Sequence, residues 1–245
     1  MPWPKWCSMP LENYANSAPS GLLLIDKPKD FSSHDIIAIC RRILKIKKIG
    51  HSGTLDPMAT GLLLLLIGRE ATRKQAQFLK LDKVYTAVLS LGQQTDSWDA
   101  YGTVVAQKPV PPLTQTDVEN AAQKLSGTVR QPIPFFSAKK INGSPMYSLA
   151  RQGQMLERRY NEVSVTWQHV RLVDPQTVEF TVHCSCGTYV RSLGYLLAER
   201  LGTAGHLTQL RRLRIGPHDV ADAFDGNLLK QTPPEVLFQR MKTLL

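Results

Sequence analysis

Gly50 to Gly61 reads GHSGTLDPMATG. Three glycines and a proline bracket one carboxylate, Asp56, and two readings compete for it. Asp followed by Pro is a common helix entrance, in which the carboxylate caps the first N–H groups and the proline takes the first helical position. However, Gly50, Gly53 and Gly61 permit close backbone approach, and Thr54 and Thr60 add hydroxyls. That composition is too glycine-rich for capping alone and suits a loop that presents a carboxylate to a ligand.

The flanking sequence places this loop among strands and helices. GLLLID (Gly21 to Asp26) is a short apolar run closed by Lys27 and Pro28, as in a buried strand stopped by proline. A helix follows, capped by Ser32 or Ser33, with Ile36, Ile37, Cys40, Ile43 and Leu44 at helical spacing. Thr60 to Gly68 is continuously apolar, and Ala71 to Lys80 reads as a second helix facing inward through Ala76 and Leu79. Residues 83 to 92 form a strand with Lys83, Tyr85, Ala87 and Leu89 on one face. Thr116 to Glu119 reads as a capping box opening a helix to about Leu125. Arg130 to Gly153 mixes prolines, aromatics and lysines without a lasting period, as in a long exposed loop with a short helix. Val163 to Val173 and Thr177 to Cys184 alternate as strands across a turn at Asp174 and Pro175, and Tyr189 to Leu201 is helical with Gly202 behind it. Strands and helices mix without regular βαβ alternation, which gives an α+β chain and, most simply, one mixed domain.

Composition narrows the partners. The 245 residues, 42% hydrophobic, suffice to bury a full core, and no apolar run reaches the length of a membrane span. Met1 to Ser20 carries two early prolines and no secretory apolar core, so it reads as a loose leader. Four cysteines, at 7, 40, 184 and 186, make no disulfide framework, and a cytoplasmic location is expected. Thirty Lys and Arg against twenty Asp and Glu give a net charge of +10, which favours a polyanionic partner such as nucleic acid. The basic clusters (Arg41, Arg42, Lys45, Lys47 and Lys48; Lys139 and Lys140; Arg158 and Arg159; Arg211, Arg212 and Arg214) are dispersed along the chain, which points to a folded basic face rather than a tail.

Several chemistries are excluded by pattern. Thr54 breaks the G-x-S-x-G of a nucleophile elbow around Ser52, and no G-K-[ST] completes a phosphate loop. His183, Cys184 and Cys186 lack the second ligand pair of a zinc site, so no metal is expected, and no cofactor motif is present. His51 is either a base or a hydrogen-bonding turn residue. What remains is Asp56, Tyr85 on a strand, and CSCGTYVRSLG, in which Arg191 lies just beyond a strand-to-helix junction. An arginine beside Asp56 orients that carboxylate; alternatively, Arg191 is a surface residue in the first turn of a helix.

In order and nearly in spelling, GHSGTLDPMATG, KVYTAVLSLGQQTDSWDAYG, IPFFSAKKINGSPMYSLARQG and CSCGTYVRSLGYLLAERLGTAGHLTQLRRLRIG resemble the TruB-type tRNA pseudouridine synthases, and GLLLIDKPKDFSS resembles their opening. The resemblance runs from about Gly21 to Gly216 and is closest to the bacterial, stand-alone type.

The resemblance implies a pseudouridine synthase fold with a central, mixed but mostly antiparallel sheet flanked by helices and loops. It makes Asp56 the nucleophile, Tyr85 a residue that packs on the target base and shares in proton transfer, and Arg191 the partner of the aspartate. Lys83 lies near Tyr85. His51, Tyr189 and Leu210 match residues around a base flipped from its stack, a step that costs a few kcal/mol. The segment near 131–153 matches an RNA-clamping insertion, with Phe135, Lys139 and Lys140 as RNA contacts. The implied reaction converts uridine 55 of the tRNA T-loop without cofactor, guide RNA or membrane, by a monomer. Two departures stand out. Cys186 replaces a common lysine, and the roughly thirty residues after RRLRIG leave no room for the PUA-like domain that many members carry. Two other readings keep the same cleft: a tRNA-binding or tRNA-folding protein without turnover, and a glycosidase that releases uracil.

Overall fold

The computed structural model describes residues 20–137, 139–141, 144–146 and 157–243, so the expected loose leader lies outside them except for Ser20, whose hydroxyl donates to Ile67 O at 3.0 Å. The chain falls into two compact units, one made by the chain up to Leu81 together with the chain from Arg212, the other by Asp82–Arg211. Among the described residues no helix is long and apolar enough to cross a membrane.

The first unit is built on β1 (Gly21–Lys27) and β3 (Thr60–Ile67), antiparallel in the register Gly21↔Ile67 to Lys27↔Gly61. Alternate residues of a strand face opposite sides, and here both sides are covered. Leu23, Ile25, Leu63 and Leu65 pack with Ile36, Ile37, Cys40 and Leu44 of α1 (Ser33–Leu44). Leu22, Leu24, Leu62 and Leu64 pack on the other side with Ala71 and Ile215. Two-sided burial explains why these strands read as unbroken apolar runs. The short β2 (Ile49–His51) adds to β3, and Phe224–Asp225 pairs with β1 in parallel.

Helix α1 starts where its sequence requires. Ser32 caps it in a reciprocal box with Asp35, Asp35 N donating to Ser32 Oγ at 3.1 Å and Ser32 N to Asp35 Oδ2 at 2.8 Å. The helix expected at 71–80 is instead two short ones, α2 (Gly68–Arg73) and α3 (Gln75–Leu79), broken at Lys74. The break resets the helical phase. Ala76 and Leu79 face solvent, and Phe78 turns to the apolar cluster.

In the second unit β4 (Lys83–Leu91), β11 (Thr177–Cys184), β10 (Tyr160–Asp174) and β7 (Gly127–Pro132) form successive antiparallel pairs. The hairpin of β5 (Gln93–Thr95) and β6 (Val104–Gln107) follows β4. Helix α4 (Gln115–Gln123) packs on β10, and the helix Val190–Arg200 packs on β4 and β7. The latter lies so close to β12 (Gly205–Ile215) that a Cβ on Gly194 would stand 2.7 Å from Leu207 Cδ2. The unit boundary falls at Arg211, inside β12.

Two expectations are corrected here. The capping box is Thr114–Asp117, not Thr116–Glu119. Gln115 decides the start, since its amide donates to Val170 O and accepts from Leu172 N, both at 2.8 Å, which fastens the first turn to β10. The segment from Arg130 is not loop from its outset. Arg130 to Pro132 belong to β7, Gln131 and Ile133 are buried, and the short β8 (Lys140–Ile141) pairs with β9 (Ser144–Pro145). Residues 138, 142, 143 and 147–153 of that stretch, on which the expectation of a short helix falls, lie outside the described residues.

Candidate active site

The Asp56 loop leaves β2 at His51 and enters β3 at Thr60. No helix follows Asp56. Ala59 N donates to Asp56 O at 3.0 Å, closing a turn over Pro57 and Met58 that leads into a strand, which overturns the helix-entrance reading. Both neighbours of Asp56 are pinned. Leu55 N donates to the buried Ser33 Oγ at 2.9 Å, and that hydroxyl donates back to Leu55 O at 3.2 Å. Pro57 O accepts from Asp30 N at 2.9 Å and from Lys27 Nζ at 3.4 Å. Asp56 itself is half-buried.

Two buried cations back this loop, neither singled out by sequence. Arg212 donates through Nε to Leu62 O at 2.6 Å and through Nη2 to Gly53 O at 3.1 Å. Gly61, at φ +101°, has to be glycine, since a Cβ there would meet Arg212 O at 2.2 Å. Of the basic trio at 211, 212 and 214, Arg212 is therefore internal, 1% exposed, and not part of a solvated basic face.

Lys27 is fully buried, its ammonium donating to Phe31 O at 2.7 Å and Pro28 O at 2.9 Å besides Pro57 O. Burial lowers its pKa to about 8, with the Asp56 carboxylate opposing that shift and Arg212 assisting it. The unfolded lysine titrates near 10.5, so between these values the unfolded chain binds the extra proton and stability rises with pH. Urea unfolding of wild type and Lys27→Met at pH 7 and pH 10.5 is expected to show wild type gaining on the order of 2 kcal/mol over the variant across that interval.

His51 ends β2. Its Nδ1 accepts from Gly53 N at 3.1 Å, which leaves the proton on Nε2 as the free donor. Burial, with the charges of His34 and Arg212, lowers its pKa to about 4. The ring thus stays neutral as pH falls from 8 to 5, a range in which the unfolded histidine becomes charged. An NMR pH series is expected to show no titration of the His51 ring above pH 5, with Nε2 as the protonated nitrogen.

In the second unit Lys83 and Tyr85 lie two residues apart on the inner side of β4, each 7% exposed. The Gly187–Thr188–Tyr189 turn is held by Gln131, whose amide donates to Gly187 O at 2.9 Å and accepts from Tyr189 N at 3.1 Å. Arg191, one residue into the following helix, is 3% exposed and not a surface arginine. Its guanidinium donates to Ser97 O at 2.7 Å and Phe136 O at 2.9 Å and lies 3.4 Å from the Asp99 carboxylate. Asp99 is buried too, fixed by Ser97 Oγ at 2.7 Å and Tyr101 N at 3.0 Å. Sequence reading missed Asp99, whose partner lies 92 residues away. Leu210 is buried on β12, Tyr189 and Phe135 are half-buried, and Lys139 and Cys186 are exposed. The side chain of Lys140 lies outside the described residues.

The first unit holds a carboxylate on a fixed turn, the form an activated nucleophile takes; the second holds the buried Arg191 guanidinium and, on β4, the buried Tyr85. The family model described as TruB family pseudouridylate synthase, N-terminal domain, matches residues 41–190. The chain belongs to that family.

Among TruB relatives, the tRNA pseudouridine synthase B of Chlamydia felis is 43% identical over 216 residues, covering 88% of this chain and 91% of that one. That of Opitutus terrae is 42% identical over 218 residues, covering 88% and 90%. Among solved structures, one titled as a Cbf5–Nop10–Gar1 complex superposes with a TM-score of 0.64 at 24% identity, covering 89% of this chain. A second, titled as an H/ACA RNP bound to a substrate RNA containing 2′-deoxyuridine, gives the same TM-score and identity over 90%. This chain spans about half of those two, 54% and 55%. The likeness carries the fold, which is the α+β pseudouridine synthase fold expected from sequence. As a TruB family member the chain is a pseudouridine synthase, an isomerase.

Proposed function

We propose that this TruB family enzyme converts uridine 55 in the tRNA T-loop to pseudouridine, with Asp56 as nucleophile, as a cytoplasmic monomer that needs no guide RNA. The observation that carries the reading is the Asp56 turn, pinned at Leu55 and Pro57 and backed by Lys27 and Arg212. Such a turn presents one carboxylate at a fixed angle and has no capping task to explain it. The likeness to relatives named tRNA pseudouridine synthase B, over nearly their whole length, supports the tRNA substrate.

In the proposed reaction the bond from ribose C1′ to uracil N1 breaks, the detached ring turns, and C1′ bonds to C5. The proton on C5 leaves and N1 takes one up, so atoms and electrons balance. Tyr85 packs against the base and shares in that proton transfer, and Arg191 supplies fixed positive charge. His51, Lys83, Tyr189 and Leu210 hold the extruded base, whose lost stacking apolar and aromatic walls offset. Phe135, Lys139 and Lys140 contact the hairpin, which is read by shape and phosphates. Mass spectrometry of a T-loop transcript after incubation tests this. Unchanged mass with a new nucleoside at position 55 supports isomerisation. Loss of uracil establishes the glycosidase reading, and unaltered RNA that is tightly bound establishes a binding protein.

A further inference from the structure

Arg191 is surrounded by a second layer of which the reaction scheme uses only Phe135. Trp98 stacks on Tyr195 with ring centroids 4.4 Å apart and planes 11° from parallel. The Arg158 guanidinium lies over this pair and over Phe135, at 5.1 Å from Trp98, 5.2 Å from Phe135 and 5.9 Å from Tyr195. Tyr195 donates its hydroxyl to Glu199. Each aromatic member is covalently next to a group that holds Arg191, or one helical turn from Arg191 itself. Trp98 sits between Ser97, whose carbonyl accepts from Arg191, and Asp99, its ion-pair partner. Phe135 precedes Phe136, the other carbonyl acceptor, and Tyr195 follows Arg191 by four residues on the same helix.

The backbone adds a second reason to look here. Trp98 has φ +61°, a left-handed conformation that is unfavourable for a residue with a Cβ and persists only where the surroundings enforce it. The enforcing contacts are present: Leu207 N donates to Trp98 O at 3.1 Å, Thr95 Oγ1 donates to Asp99 O at 2.7 Å, and the buried indole is stacked. If the turn relaxed, the Ser97 carbonyl and the Asp99 carboxylate would swing together, because they flank the strained residue.

We propose that Trp98, Tyr195 and Arg158 form a positioning stack that locks the Ser97–Asp99 turn and Phe136 around Arg191, so that the orientation of its guanidinium depends on aromatic packing outside the site. The proposal rests on the role given to Arg191 above. In the scheme above other side chains hold the RNA, so the Trp98–Tyr195 pair sets the turnover rate and leaves RNA affinity alone.

The test measures single-turnover rate and RNA dissociation constant for a small set of variants whose folding is followed by thermal melting. Trp98→Gly keeps the left-handed backbone without strain and deletes the stack, whereas Trp98→Phe keeps a stacked ring. The expected results are a roughly 100-fold slower rate for Trp98→Gly with RNA affinity within about threefold of wild type, and rescue by Trp98→Phe to within about fivefold. Arg158→Gln, on an exposed residue whose loss spares the core, is expected to slow the rate about fivefold at unchanged melting temperature. Full activity in both Trp98→Gly and Arg158→Gln overturns the proposal, as does a loss confined to RNA affinity. Arg191→Lys is the reference: a loss there beside full activity in the stack variants sinks the stack alone, whereas full activity in Arg191→Lys removes the underlying role of Arg191 and the proposal with it.

Discussion

Asp56→Asn is expected to stop turnover, lowering the single-turnover rate by at least about 10⁴-fold while tRNA affinity stays within severalfold of wild type. Asparagine is nearly isosteric, and main-chain groups of Leu55, Pro57 and Ala59 hold the turn that carries it. The variant therefore keeps the loop, and what it loses is the anionic oxygen as nucleophile. Filter binding and a rapid-quench assay on the same protein separate the two quantities. Residual activity above about 1% of wild type would remove Asp56 from the nucleophile role, and a collapse of binding would assign it to RNA recognition.

The second large effect is expected at Arg191→Lys, a rate loss of about 10² to 10³-fold with tRNA affinity nearly unchanged. Charge is conserved in this variant, but geometry is not. The native guanidinium reaches Ser97 O and Asp99 through Nη1 and Phe136 O through Nη2, a spread that a single ammonium cannot span. Because the site is buried, the carbonyls left without a donor also cost stability, about 1 to 3 kcal/mol for each orphaned group, readable as a lower melting temperature. Wild-type rates from the lysine variant would show that position 191 needs only a diffuse positive charge.

Much of the framework was legible because it is local or periodic. The strand at Gly21, a cap at Ser32 or Ser33, the apolar run after Thr60 and the hairpin across Asp174 and Pro175 follow from spacing and turn chemistry, and the structure shows each of them, with Ser32 as the cap. The family followed from loop spellings that no periodicity argument supplies. The misses have physical causes. The helix at 71–80 failed because its phase is reset at Lys74, so the half-buried Phe78, not Ala76 or Leu79, packs on the apolar cluster. The capping box slipped by two residues because Thr114 and Thr116 both head a box, and the deciding contact, Gln115 with β10, lies 55 residues away in sequence.

The site residues that sequence passed over share one trait: they are charges in the interior. Lys27 was read as a strand terminator, yet Leu23, Ile25 and Lys27 alternate on one face of β1, and period two alone marks the lysine as inward. Arg212 falls in a basic trio that reads as part of a nucleic-acid-binding face, although alternation with Leu210 on β12 places it inside. Asp99 lies in an ordinary polar turn, and only its distant ion pair with Arg191 reveals it. Composition treats such residues as surface, because charged side chains are rarely buried without a partner.

The most direct measurement of the central claim is tritium release from a T-loop transcript labelled at C5 of uridine 55 alone, with wild type and Asp56→Asn compared under single turnover. The C5 hydrogen has to leave when that carbon joins the ribose. Wild-type enzyme is expected to release one equivalent of tritium, matched by one pseudouridine, and Asp56→Asn none. Retention of tritium by wild-type complexes that bind the RNA tightly, or equal release by the variant, would contradict an Asp56-driven isomerisation.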